Sequence, residues 1–400
     1  MADATCAGCG CACDDIEATV AGGRLSVTRT CALGDAWFAE RAAVPVASIE
    51  GRAASVEEAA DAAATILGHA RAPLVYGLGE TSIEAQRQAV ALAEALGAIV
   101  DPGGGSGASL AYQAIGSSTA TFGEIRDRAE LVIAWRADPA VTNPRLLGRL
   151  RLDRAARGSR TLVVVDEHRT ATAEEADSFV ELDAAQDFEA LWALRALVGR
   201  APLDGDRMGE VALAALRELA ERLLGAEHVA VLYGPGVAGD ELSALALFAL
   251  VRDLSRERHA VTLGLRGECN ARGAEDVLAW QTGFPAGVSF ARGYPRANSG
   301  ELSAAALLHR GEVDAALVIA CDALTRLPGL RELPTVVIDA RDTETAKAAR
   351  VAFATAVEGI DVAGTAHRMD GVPVPLRALL DGDGRVGSIQ DVLAAIAERL

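Results

Sequence analysis

Apolar and polar residues follow two different rhythms along this chain. Residues 15–29, DIEATVAGGRLSVTR, alternate with period two on either side of Gly22 and Gly23. That is the pattern of a β-hairpin with a tight glycine turn. From residue 72 onward the alternation disappears. APLVYGLGET (72–81), ELVIAWRADP (130–139), RTLVVVDEHRT (160–170), EHVAVLYGPGVAG (227–239), DAALVIACDAL (314–324) and PTVVIDARDTET (334–345) are short runs with continuous apolar cores. Strands covered on both faces read this way. SIEAQRQAVALAEALG and DELSALALFALVRDLS lie between them with helical spacing.

The strand runs also repeat. LVIAWRADP followed by TLVVVDEHRTATAEEADSFVEL matches ALVIACDAL followed by TVVIDARDTETAKAARVAFATA. Each copy has a strand, an aspartate (Asp138, Asp322), and a second strand ending in aspartate (Asp166, Asp339). A Thr-x-Thr-Ala element follows: Thr170, Thr172 and Ala173 in one copy, Thr343, Thr345 and Ala346 in the other. LVYGLGET and AVLYGPGVAG match likewise. The reading is α/β, with two related doubly wound parallel-sheet domains at 50–190 and 205–356. A Cys-rich β-hairpin region (1–45) precedes them and a C-terminal segment (357–400) follows. Ligands of such sheets sit at the carboxyl ends of the strands.

Charge narrows the function. Fifty-six acidic residues against 38 basic ones leave a net charge of −18. A nucleic-acid partner needs a basic footprint, and that class is excluded. The chain shows neither a secretory signal nor an apolar run long enough to span a membrane, so a cytoplasmic protein is expected.

In a reducing compartment, clustered cysteines point to metal before disulfide. Five of the seven fall at Cys6, Cys9, Cys11, Cys13 and Cys31; none lies between Ala32 and Glu268. Cys6, Cys9, Cys13 and Cys31 supply four thiolates, the set that a [4Fe–4S] cluster or a structural zinc requires. A metal-free remnant is the alternative. Cys11 reads as the spare thiol, since three closely spaced cysteines should not face one point. The glycine loop DPGGGSGASL (101–110) is either a phosphate cradle or a plain strand-to-helix connection, without the lysine of a P-loop. AWQTGFPAGVSFARGYPRANSGE (279–301) is long, aromatic and rich in glycine and proline, as functional or interfacial segments are. Arg292 and Arg296 within it, and Arg368 in GTAHRMDGVP, are candidates for an anionic ligand. His367 reads as structural.

CAGCGCACDDIEATV…CALGDAWF, TFGEIRDRAELVIAW, WQTGFPAGVSFARGYPRANSGE and GIDVAGTAHRMDGVPVPLR occur in this order across nearly the whole chain. Together they resemble the B-type subunit of the formylmethanofuran dehydrogenase family. Within that family they are most similar to the B-like subunit of the formyltransferase/hydrolase complex of aerobic methylotrophs. The resemblance implies the molybdopterin-oxidoreductase fold, with Cys6, Cys9, Cys13 and Cys31 as cluster ligands. Redox-active members hold Mo or W with a cysteine or selenocysteine just before the TFGE segment. Here that stretch is GGGSGASLAYQ, in which neither Gly105 nor Ser106 is a soft thiolate ligand, so a Mo/W-pterin is not expected. The implied task is a non-redox one, structural and carrier-binding. The complex passes formyl from tetrahydromethanopterin to a methanofuran-type carrier and releases formate in one-carbon (formaldehyde) oxidation. A-, C- and D-like partners are implied, with the hydrolytic metal on the A-like subunit and the formyltransferase on the D-like one. The carrier's polyglutamate tail would meet Arg292, Arg296 and Arg368. Two alternatives stand beside this: a redox subunit with Ser106 on the metal, and an iron–sulfur electron-transfer module.

Overall fold

The computed structural model describes residues 2–40, 45–380 and 387–400; parts of the segments 1–45 and 357–400 thus lie outside the described residues. In chain order the first elements are β1 (Ala2–Cys6), β2 (Cys13–Ala21), β3 (Arg24–Thr28), α1 (Ala32–Phe38), β4 (Ala47–Ile49) and β5 (Arg52–Ala53). Next come α2 (Val56–His69), β6 (Pro73–Gly77), α3 (Ile83–Leu96) and β7 (Ile99–Asp101). The middle of the chain holds α4 (Ser106–Ala114), β8 (Leu131–Trp135), β9 (Thr161–Asp166), β10 (Ser178–Glu181), α5 (Asp187–Val198), α6 (Leu213–Gly225), β11 (His228–Tyr233), α7 (Glu241–Leu254) and β12 (His259–Gly264). The last part holds α8 (Ala271–Thr282), β13 (Val288–Ser289), β14 (Arg296–Ala297), β15 (Ala315–Ile319), β16 (Thr335–Asp339), β17 (Val351–Ala354), β18 (Gly364–His367), β19 (Pro373–Leu376) and α9 (Ile389–Ala397). Shorter helices and turns fill the connections.

Two compact units form, but not along the boundaries read from the sequence. One comprises Met1–Gly104 with Glu268–Leu400; the other is Gly105–Gly267. The expected domains at 50–190 and 205–356 each mix strands of both. In the first unit the sheet order is β14-β13-β7-β6-β15-β16-β17-β4-β5. Its central strands β7, β6, β15, β16 and β17 run parallel, so β6 pairs with β15 across the whole intervening unit. In the second unit the order is β10-β9-β8-β11-β12, all parallel. The repeat is real, since β8, β9, β10, β11 and β12 occupy the same sheet positions as β15, β16, β17, β6 and β7. What differs is the order in which the two pieces are threaded. Hydrogen bonds between parallel strands join backbone groups regardless of sequence distance, so the repeat alone did not say which copies would share a sheet.

The Thr-x-Thr-Ala elements show why the repeat recurs. The first threonine caps a short helix: Thr170 Oγ1 accepts from Ala173 N, and Thr343 Oγ1 from Ala346 N. The second threonine clamps the preceding strand's loop. Thr172 Oγ1 donates to Asp138 Oδ1 at 2.6 Å and accepts from Ala140 N; Thr345 Oγ1 donates to Asp322 Oδ1 at 2.6 Å and accepts from Leu324 N. The glycines of 101–110 serve packing. A Cβ on Gly105 would lie 2.4 Å from the Ala238 carbonyl oxygen, and one on Gly107 2.4 Å from that of Asp240. Close approach of α4 to residues 238–240 therefore accounts for these glycines without a phosphate. No helix among the described residues is long and apolar enough to cross a membrane.

Candidate functional site

The expected hairpin builds the site. β2 and β3 pair antiparallel, with Gly22 and Gly23 both at positive φ (58° and 73°) in the turn between them. This returns the chain to Cys31, which opens α1. β1 pairs with β2 in a register that sets Cys6 opposite Cys13. The loop between them carries Cys9 and Cys11 and folds back through Ala12 N to Cys9 O at 3.0 Å. Met369 N donates to Gly10 O at 3.0 Å, tying the loop to the turn between β18 and β19. Ala12 packs with Cys269, Ala366, Val374 and Leu376 beneath it.

Cys6, Cys9, Cys11 and Cys13 are buried and Cys31 is half-buried. Burial pushes the Cys6 thiol up to about 12; the Gly8 amide, donating to Cys6 Sγ at 3.4 Å, partly offsets this, and the neighbouring thiols of Cys13, Cys9 and Cys31 add to it. The structure therefore brings together the four cysteines selected from spacing. Cys11, read as the spare thiol, lies beside Cys13 and Cys9, and its thiol titrates well above the usual range because of its hydrogen bonds with both, then because of burial. Cys269, given no role from the sequence, is buried next to Cys6 and Cys9; no local motif marked it, since it arrives from the far side of the second unit's insertion. Cys321 lies apart, in the core beside Tyr76.

Four clustered thiols are the donor set of either a [4Fe–4S] cluster or a structural zinc. A tetrahedral zinc with Zn–S near 2.3 Å holds its thiolates about 3.8 Å apart. A four-iron cube spreads its thiolates farther. Thiols this reluctant to ionise need a cation to become ligands, and a bound cluster would supply it.

Beside the loop lies a cavity of about 190 Å³, at the carboxyl ends of β6, β16 and β17. Ala7, Gly8, Glu80, Asn270, Arg341 and Thr355 help to line it. Arg341 grips Asp339 through Nε at 3.0 Å and Nη2 at 3.1 Å and also pairs with Glu80. Desolvation raises Glu80 to about 7, Arg341 opposing and Glu268 and Asp339 adding. Thr355 Oγ1 is buried there with no hydrogen-bond partner.

The three arginine candidates separate. Arg368 is 8% exposed and holds Asp370 through two bonds of 2.7 and 2.8 Å, so its guanidinium is engaged within the fold. Arg292 and Arg296 lie exposed on the β13–β14 hairpin, with no ion pair among the described residues. His367 is structural as expected: its Nδ1 meets Asp276 Oδ2 at 2.8 Å, and Arg272 holds the same carboxylate. Ser106 starts α4 with its hydroxyl donating to Gly239 O at 3.3 Å.

A scan against protein-family models found no match. Individual relatives are informative. The chain is 33% identical to the B-type subunit of tungsten-containing formylmethanofuran dehydrogenase 2 of Methanocaldococcus jannaschii, over 99% of this chain and 97% of the relative. It is 31% identical to the B-type subunit of the formyltransferase/hydrolase complex Fhc of Methylorubrum extorquens, over 79% of this chain and 86% of that relative. Among solved structures, the X-ray structure of the M. extorquens FhcABCD complex with methylofuran contains a chain that superposes with a TM-score of 0.72 at 30% identity, covering 88% of this chain and 98% of that one. With hairpin, cysteine loop and paired α/β units all accounted for, the chain belongs to the family of formylmethanofuran dehydrogenase B-type subunits.

Proposed function

We propose that this chain is the non-redox subunit of a cytoplasmic formyltransferase/hydrolase complex, with A-, C- and D-like partners. The complex would move formyl from tetrahydromethanopterin to a methanofuran-type carrier and release it as formate. This chain would serve as scaffold and contact the carrier through Arg292 and Arg296. The observation that carries the reading is the place where a redox member needs a soft metal ligand. There the chain has Ser106, whose hydroxyl is engaged by Gly239 O, on a helix held tightly against residues 238–240. No cysteine occurs from Ala32 to Glu268. A hydroxyl is a poor substitute for a thiolate on Mo or W. The residues at that position thus do not fit the pterin-bound metal, and no step is routed through it. The N-terminal thiols do fit a [4Fe–4S] cluster, which would hold Cys6, Cys9, Cys13 and Cys31 together and lock the loop in place.

A second reading is favoured by one observation: the relatives matched over 99% of the chain are tungsten enzymes. In that case Ser106 would be the metal ligand. Elemental analysis of the purified native complex separates the two. Iron without Mo or W is expected; stoichiometric tungsten or molybdenum would overturn the non-redox assignment, and Ser106→Ala would then release the metal.

A further inference from the structure

The second unit contains a cavity of about 430 Å³ whose lining is dominated by arginine. Five of its eleven lining residues are Arg195, Arg200, Arg252, Arg256 and Arg258. The whole chain has only 38 basic residues in 400 and is strongly acidic, so this density is local. The cavity forms where the C-terminal ends of α5, α6 and α7 converge. Arginines at helix C-termini need no ligand to be explained, because they neutralise the dipole and bind terminal carbonyls. Arg258 does this, donating from Nε and Nη2 to Leu224 O at 3.1 and 2.8 Å.

The charge balance decides against that explanation for the rest. Asp253 and Glu257 are the acidic residues of the lining, which leaves three positive charges unmatched. Three helix ends at about −0.5 each remove roughly half of that. Asp253 is shared among Arg195 at 2.9 Å, Arg252 at 3.4 Å and Arg256 at 3.7 Å, so one carboxylate serves three guanidinium groups. Arg195 is further ordered by the Trp192 ring, 4.1 Å from its guanidinium carbon. The exposed Arg200 has no side-chain partner among the described residues.

We propose that this pocket binds a chain of carboxylates, a short run of glutamates. Phosphate sites favour helix N-termini, where backbone amides converge. This pocket is lined by helix C-termini, which offer an anion no backbone amides, and its separated guanidinium groups suit single charges spaced along a chain. The inference rests on the carrier-binding reading only for where such a chain would come from.

The test uses the full chain and fluorescein-labelled hexaglutamate, followed by fluorescence anisotropy. Saturable binding is expected, weakening as salt rises from about 20 to about 200 mM. Arg252→Glu with Arg256→Glu, both exposed, should weaken it at least about tenfold. A charge-matched control, Arg24→Glu with Arg52→Glu, should bind as the parent does. Absence of saturable binding, or unchanged affinity in the pocket variant, would overturn the proposal. Stronger competition by tripolyphosphate than by unlabelled hexaglutamate would overturn it as well, marking a phosphate site. Loss confined to Arg292→Glu with Arg296→Glu would overturn the pocket while leaving the carrier reading intact, whereas tungsten in the native complex would overturn the non-redox reading and leave the pocket intact.

Discussion

Gly8→Ala disturbs the cysteine site without touching a thiol. A Cβ at Gly8 would lie 2.8 Å from the Leu33 carbonyl oxygen, 3.0 Å from its carbon and 3.2 Å from Gly34 N. All three are backbone atoms of α1, so no flexible side chain can yield. Ordinary contact begins near 3.4 Å, and the loop must therefore move from α1 by about 0.6 Å. Overpacking of this kind costs about 1–3 kcal/mol. Cys6 and Cys9 flank Gly8 on the loop, while Cys31 sits at the start of α1. The same movement therefore separates the two parts of the ligand set, by more than the roughly 0.2 Å that metal–ligand distances tolerate. After anaerobic reconstitution with iron and sulfide, Gly8→Ala should hold less than about half the iron of the parent. Its melting temperature should fall by roughly 2–4 °C per kcal/mol lost. Gly22→Ala is the control: its φ of 58° disfavours alanine, yet nothing lies within 4 Å of the new Cβ. That variant should lose about 1 kcal/mol and keep its iron. Full iron uptake by Gly8→Ala would refute the packing argument, and a parent that binds no iron would refute the cluster.

Two other substitutions address neighbouring groups. Arg368→Ala leaves the fully buried Asp370 carboxylate without its guanidinium and should destabilise the chain by about 3–5 kcal/mol, read from the denaturant midpoint. Its carrier affinity per folded molecule should not change; a large loss of affinity with normal stability would return Arg368 to the binding set. Glu80 holds its proton more tightly in the fold, near 7, than the ordinary 4.5, so stability should fall as pH rises across that window and level off above it. Glu80 keeps 35% of its side chain exposed, so solvent screening makes the effect modest. Glu80→Gln should flatten the melting temperature across that window, and a parallel curve for parent and variant would count against the shift.

Much of the site was legible from residue order. Period-two alternation around Gly22 and Gly23 located the hairpin, and the hairpin explained how Cys31 rejoins Cys6, Cys9 and Cys13. These are local relations, and backbone geometry enforces them within about 30 residues. The closeness of Cys11 to Cys9 and Cys13 was not legible, because a bulged register between Ala4 and Cys6 and the positive φ of Ala12 turn the loop in a way that spacing does not encode. The pairing of Arg368 with Asp370 was not legible, because the side chain of an acid two residues away could equally have faced solvent. The glycines at 105 and 107 left a phosphate cradle and a plain connection both open, since a close backbone approach and an anion cradle place the same demand on sequence.

The amino-acid sequence by itself determined the hairpin, the main strands and two of the helices, the clustering of five cysteines, the absence of cysteine from Ala32 to Glu268 and the repeat of strand, aspartate and Thr-x-Thr-Ala. Those features depend on side-chain periodicity, on residue chemistry or on hydrogen bonds between near neighbours. Only the tertiary structure decided that β6 joins β15 while β8 joins β11, that Cys269 reaches the cysteine loop, and that arginines from two separate helix ends surround one cavity. Each of these unites segments dozens to hundreds of residues apart. Packing and backbone pairing bring them together, and neither leaves a periodic signal in the chain.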